Sequence, residues 1–173
     1  MEGVERYKVK LLPHNKEWRN EFLQVKNEIE AIWSNNILDI QHVGSTAIHN
    51  ICAKPILDIA VRLKSIKEMD IDSMKGLGYD YCGPQHGSDT YHLYVLRGVN
   101  QVSLRHIHCY DSLDNEYFQL VGFRDYLNSH SDVAQKYAEL KEILAAEYPD
   151  NRVAYTKGKH DFIQNIYSLL DET

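Results

Sequence analysis

Two short stretches of the chain hold residue types whose spacing could do chemistry. In the first, Gly44-Ser45-Thr46 closes an apolar, partly β-branched run that begins Ile37-Leu38-Asp39-Ile40. That run reads as a strand. A glycine followed by hydroxyls at a strand end lets the backbone approach closely and offers N–H and O–H donors to an anion. Twelve residues separate Ser45 from Asp58, which stands in Ile56-Leu57-Asp58-Ile59-Ala60-Val61, a second strand with one carboxylate. A carboxylate in an apolar strand is costly to bury unless a cation or a donor meets it. The pair predicts a phosphate-and-metal site, with Asp58 its catalytic carboxylate.

The second stretch is Leu104-Arg105-His106-Ile107-His108-Cys109. His106 and His108 are two apart and so share one face of a strand. Another histidine, His42, lies two residues before Gly44. Imidazole suits transition metals, whereas magnesium prefers oxygen. His42, Asp58, His106 and His108 therefore make a candidate metal set. Magnesium or manganese is expected on Asp58, and a transition metal if the histidines bind. The plainer alternative is a pair of histidines on a solvated strand face.

A Gly-Ser, roughly ten residues and then an Asp between hydrophobics resembles the signature of the nucleotidyltransferase superfamily. In that signature a second Asp or Glu follows two positions later, where this chain has Ala60. The fuller wording resembles one branch, the GrpB family. It comprises His42-Val43-Gly44-Ser45-Thr46-Ala47, then Ala53-Lys54-Pro55-Ile56-Leu57-Asp58-Ile59, and later Arg105-His106-Ile107-His108. Phe123-Arg124-Asp125-Tyr126-Leu127 and Tyr155-Thr156-Lys157-Gly158-Lys159 also look like that family, and the resemblance runs from Val9 to Tyr167. It implies an α/β (α+β) nucleotidyltransferase-like fold: a mixed sheet of about five strands, helices packed over it, and a helical C-terminal half.

The resemblance also implies roles. Phosphates would rest on Gly44, Ser45 and Thr46, with Lys54 held extended by Pro55. Lys141, Tyr155 and Lys159 would complete the anion pocket from the helical half, and Arg124 would add a bidentate donor. The leading expectation is a protein that binds a nucleoside triphosphate and a divalent metal and transfers a nucleotidyl group. One alternative is a non-catalytic binder of a nucleotide or another phosphorylated small molecule. The other is a metal-dependent hydrolase using the histidines.

Several elements must position these residues. Trp18, Phe22, Val25, Ile29 and Ile32 recur at steps of three and four, which predicts a helix opened by Pro13-His14-Asn15. Thr46 to Ile51 reads as a short helix whose N-terminus faces the glycine turn. Ser65 is expected to cap a helix reaching about Leu77. Tyr91 to Leu96 and Val102 to Tyr110 read as strands joined by a hairpin at Gly98-Val99-Asn100. From Asp111 the pattern is helical, with a last helix over about Arg152 to Leu170.

The bulk properties exclude several classes. At 173 residues the chain suits one domain over 1–173 with its own core. A net charge of −6 argues against a dedicated nucleic-acid coat protein. The three cysteines form no CxxC pair and read as reduced thiols of a cytoplasmic protein. No apolar run approaches the length needed to cross a bilayer, so no membrane partner is expected.

Overall fold

The computed structural model describes residues 1–171. Helix α1 (Glu17–Trp33) leads into β1 (Ile37–Val43), and β2 (Leu57–Leu63) returns antiparallel beside it. A short α2 (Ile71–Gly76) precedes β3 (Tyr79–Gln85), β4 (Ser88–Arg97) and β5 (Ser103–Asp111). The chain then turns helical: α3 (Asn115–Ser129), α4 (Ser131–Glu147), α5 (Arg152–Gly158) and α6 (His160–Asp171). The strands form one mixed sheet in the order β1-β2-β5-β4-β3, in which β2 and β5 run parallel. This is the expected α/β architecture of five strands with a helical C-terminal half.

Alternation along β2 decides which side chains meet which layer. Leu57, Ile59, Val61 and Leu63 point to one face and pack with Val25, Ile29 and Trp33 of α1. Ala60 points to the other face, where Val43, Tyr91, Tyr110 and Tyr117 enclose it. Residues two apart on a strand share a face, so Asp58 lies on the Ala60 side. The parallel register sets Asp58 beside His106 and Ala60 beside His108.

Three expectations change in detail. The stretch Thr46 to Ile51 forms only a 3₁₀ turn, Ser45–Ala47. Ile48 and Ile51 are buried against Phe123, Leu127 and Tyr137, and burying each contributes roughly 1.5–3 kcal/mol. That exceeds the few tenths of a kcal/mol per residue that helix propensity offers. The expected helix from Ser65 becomes a 3₁₀ turn, Ile66–Glu68, followed by α2, whose N-cap is Asp70, with its carboxylate accepting from the Ser73 N–H at 3.0 Å. The last helix divides at Lys159. Just before that break, Gly158 packs against the Leu144 side chain of α4, which would have to shift to admit a Cβ there.

Candidate metal and anion site

The bend after β1 is pressed against the β2 carboxylate. Gly44 has φ +69°, and a Cβ there would lie 2.7 Å from Asp58 Oδ2. A side chain at this position would meet both backbone strain and a steric clash. Glycine at the end of β1 therefore lets Asp58 and the Ser45 turn approach.

Asp58 is joined from the neighbouring strand by two imidazoles. Its Oδ1 lies 3.1 Å from His106 Nδ1 and 3.2 Å from His108 Nε2. The three ligand-type atoms lie within 4.8 Å of one another, the one such group of three among the described residues. On its other side, His108 Nδ1 is 2.8 Å from the Tyr91 hydroxyl. A partner on one ring nitrogen orients the other nitrogen toward a metal. Burial drives the Asp58 carboxyl up, but hydrogen bonds from His106 and His108 outweigh it and hold the group well below the usual carboxylate range. Burial lowers His106, with Asp58 opposing. One carboxylate and two imidazoles are a donor set that fits a divalent transition metal.

A cavity of about 200 Å³ opens over this group, with Gly44, Ser45, Asp58 and His106 on one wall. Three cations, Lys54, Arg152 and Lys159, line it as well. None of them forms an ion pair among the described residues. Both lysine ammoniums stand over the Tyr155 ring, Lys54 at 5.2 Å and Lys159 at 4.7 Å from its centroid. The ring's negative face attracts them without neutralising them. Burial, then Arg152 and Lys159, lowers Lys54 to about 7. Burial, against the pull of Asp58, lowers Lys159 to about 8. The rest of the lining is apolar and aromatic, including Leu120, Phe123 and Ile163.

The other expected site residues lie elsewhere. His42 projects to the α1 side of β1, stacked on Phe22 at 5.2 Å, with Nε2 2.9 Å from the Thr46 hydroxyl. Register explains this, because His42 pairs with Ile59 while Val43 pairs with Asp58. The expected four-residue metal set is thus assembled as three. Thr46 likewise lies outside the cavity wall that Ser45 lines. Arg124 donates to Asp125 Oδ1, to Gln41 Oε1 and to the His42 carbonyl, each at 2.8 Å, and braces β1. Lys141 is buried; its ammonium donates to the Cys52 carbonyl and sits 4.8 Å from the Tyr137 ring centroid.

Arg152 and Tyr91 are residues that the sequence reading passed over. Arg152 had a signal: a cation in the first turn of a helix opposes the dipole and asks for an anion. Tyr91 had none, since only the pairing of β4 with β5 brings it to His108.

The sheet, the glycine bend and the carboxylate–imidazole group define an α/β protein with a candidate metal and anion site on one face of the sheet, over β2 and β5. The chain belongs to the GrpB family, whose model, GrpB protein, matches residues 8–169. The Glutamate-rich protein GrpB of Alkalihalophilus pseudofirmus is 32% identical over 176 residues, covering 98% of this chain and 100% of that one. The UPF0157 protein YqkA of Bacillus subtilis is 33% identical over 159 residues, covering 91% of this chain. The chain spans only 46% of the length of YqkA. The crystal structure of conserved protein GrpB from Enterococcus faecalis superposes with a TM-score of 0.84 at 27% identity, over 92% of this chain and 95% of that one.

Proposed function

We propose that the protein binds the phosphate chain of a nucleoside triphosphate together with one divalent transition metal, and uses the pair for nucleotidyl transfer. The observation that carries this reading is the set of three cations, none in an ion pair among the described residues, facing a half-buried carboxylate across one cavity. Asp58 is one negative charge against three positive ones; partly buried cations in excess are costly, and a phosphate anion would relieve that cost for all three at once.

Asp58, His106 and His108 would hold the metal, which supplies Lewis-acid polarisation of a phosphoryl oxygen when bound. Lys54, Arg152 and Lys159 neutralise phosphate charge, and more strongly so where charge grows during transfer. Gly44 lets the Ser45 turn sit against Asp58, and that turn would offer backbone and hydroxyl donors to a phosphate. Tyr155 keeps both ammoniums on the cavity side. The apolar wall of Leu120, Phe123 and Ile163 limits water around the reacting groups.

A second reading, binding without transfer, is favoured by Ala60. That side chain is 0% exposed and shares its cluster with Tyr91, Tyr110 and Tyr117. A second metal would find no carboxylate there. One assay separates the two: labelled triphosphates, manganese and a pool of cell extract as acceptor. Pyrophosphate release supports transfer. Saturable binding without release supports the second reading, and the absence of both overturns the phosphate site itself.

A further inference from the structure

A second and larger cavity, about 890 Å³, lies on the α1 side of β1, back to back with the Ser45 turn. Its walls come from α1, β1, the segment after the 3₁₀ turn, and α3. Lys16, Arg19, Lys26 and Arg124 line it, and none of its described lining residues carries a carboxylate. In a chain of net charge −6 this is a local inversion of sign.

The four cations are not equivalent. Lys26 leans on Glu30 at 3.7 Å, and Arg124 has its donors committed to Asp125, Gln41 and the His42 carbonyl. Lys16 and Arg19 are exposed and make no ion pair among the described residues. Lys16 is the N-cap residue of α1 and Arg19 lies three positions on, in its first turn, so both reach the same side of the groove.

Flat rings complete the surface. Phe22 and His42 stack with an interplanar angle of 15°, and His14 meets His49 edge-on at 5.9 Å. Nδ1 of His14 is buried with no hydrogen-bond partner. Burial pulls His42 down to about 4, and Arg124, His14 and Arg19 add to that descent. A neutral imidazole stacked on a phenyl ring is a platform for a flat ring, and the free cations beside it suit phosphate.

We propose that this groove is a second anion site, separate from the Asp58 cavity, that takes a nucleotide: a phosphate on Lys16 and Arg19 and an aromatic base near the Phe22–His42 stack. The nucleotide comes either free or as the end of a short strand. Neither Asp58 nor a metal takes part.

The experiment is equilibrium binding in EDTA at low salt, with a fluorescent ATP analogue and a 5′-labelled hexauridylate as probes. Lys16→Glu/Arg19→Glu should weaken binding roughly tenfold or more, because two attractive charges become repulsive. Both residues are exposed, so the thermal midpoint of that variant should match the parent. Lys67→Glu/Lys75→Glu, the same charge change at two exposed lysines away from both cavities, should leave binding unchanged. Tight binding of the ATP analogue identifies a free nucleotide, and binding confined to the hexauridylate identifies a strand end. Failure of both probes to bind would overturn the groove as a site. So would an unchanged affinity in Lys16→Glu/Arg19→Glu, an equal loss of binding in Lys67→Glu/Lys75→Glu, or displacement by tripolyphosphate as effective as by ATP.

Discussion

His108 presents Nε2 to Asp58 while its Nδ1 is tied to the hydroxyl of Tyr91 at 2.8 Å. Tyr91 thus fixes the tautomer and the orientation of a candidate metal ligand from the neighbouring strand. Removing the hydroxyl in Tyr91→Phe should weaken metal binding roughly 10–100-fold. The ring stack of Tyr91 on Tyr110, at 4.6 Å between centroids, should keep the fold intact. Titration with cobalt(II), followed by its visible absorption, measures this. Unchanged affinity would show that Tyr91 plays no orienting part.

Gly44→Ala should cost about 1–3 kcal/mol of stability, because the left-handed backbone there is strained for any other residue. The added methyl also meets Asp58 Oδ2, so metal affinity should fall in parallel. Denaturant unfolding and metal titration of one variant read both losses. Stability lost with metal affinity intact would uncouple the bend from the carboxylate.

Two lysines on the anion cavity differ from a third that is buried nearby. Lys159→Met should weaken triphosphate binding by roughly tenfold to a hundredfold, the worth of one hydrogen bond to a charged group. Lys141→Met should leave affinity unchanged, since its ammonium is committed to the Cys52 carbonyl. Calorimetric titration of both variants compares them directly. Equal losses would place Lys141 in the anion site after all.

The depressed lysines give the protein a defined pH response. Lys54, at about 7, and Lys159, at about 8, both lie below the 10.5 of a free lysine. Between those values and 10.5 the unfolded chain holds protons that the folded chain has released. Stability of the ligand-free protein from these groups therefore rises with pH from about 7 to about 10. Anion binding needs the protonated ammoniums, so triphosphate affinity should fall over the same window. Thermal midpoints with and without triphosphate, taken every half unit of pH, should converge as pH rises. A gap that stays constant would show that these lysines do not face the anion.

The local pattern carried much of the site. The i, i+2 spacing of His106 and His108 put both rings on one strand face, and the apolar setting of Asp58 marked it as a carboxylate needing partners. His42 shows where such reading stops. The sequence brings it within two residues of Gly44, but the antiparallel register pairs it with Ile59 and turns it to the α1 face. That register is a property of two strands and cannot be read from one. The same holds for the helical half, where Lys141 and Lys159 look alike as sequence. Their fates diverge because α4 carries Lys141 to the Cys52 carbonyl, while the break after Gly158 leaves Lys159 facing the cavity. The expected helix after Thr46 failed for a comparable reason, because Ile48 and Ile51 gain more by burial against α3 and α4 than a short helix returns.

In the proposed site Asp58 anchors a metal on which a triphosphate depends. The most direct measurement is calorimetric titration of a nucleoside triphosphate, in manganese and in EDTA, into the parent protein and into Asp58→Asn. A saturable binding step that appears in the parent only with manganese, and that is absent from Asp58→Asn, is the predicted result. An equal manganese-dependent step in the variant, or none in the parent, would contradict it.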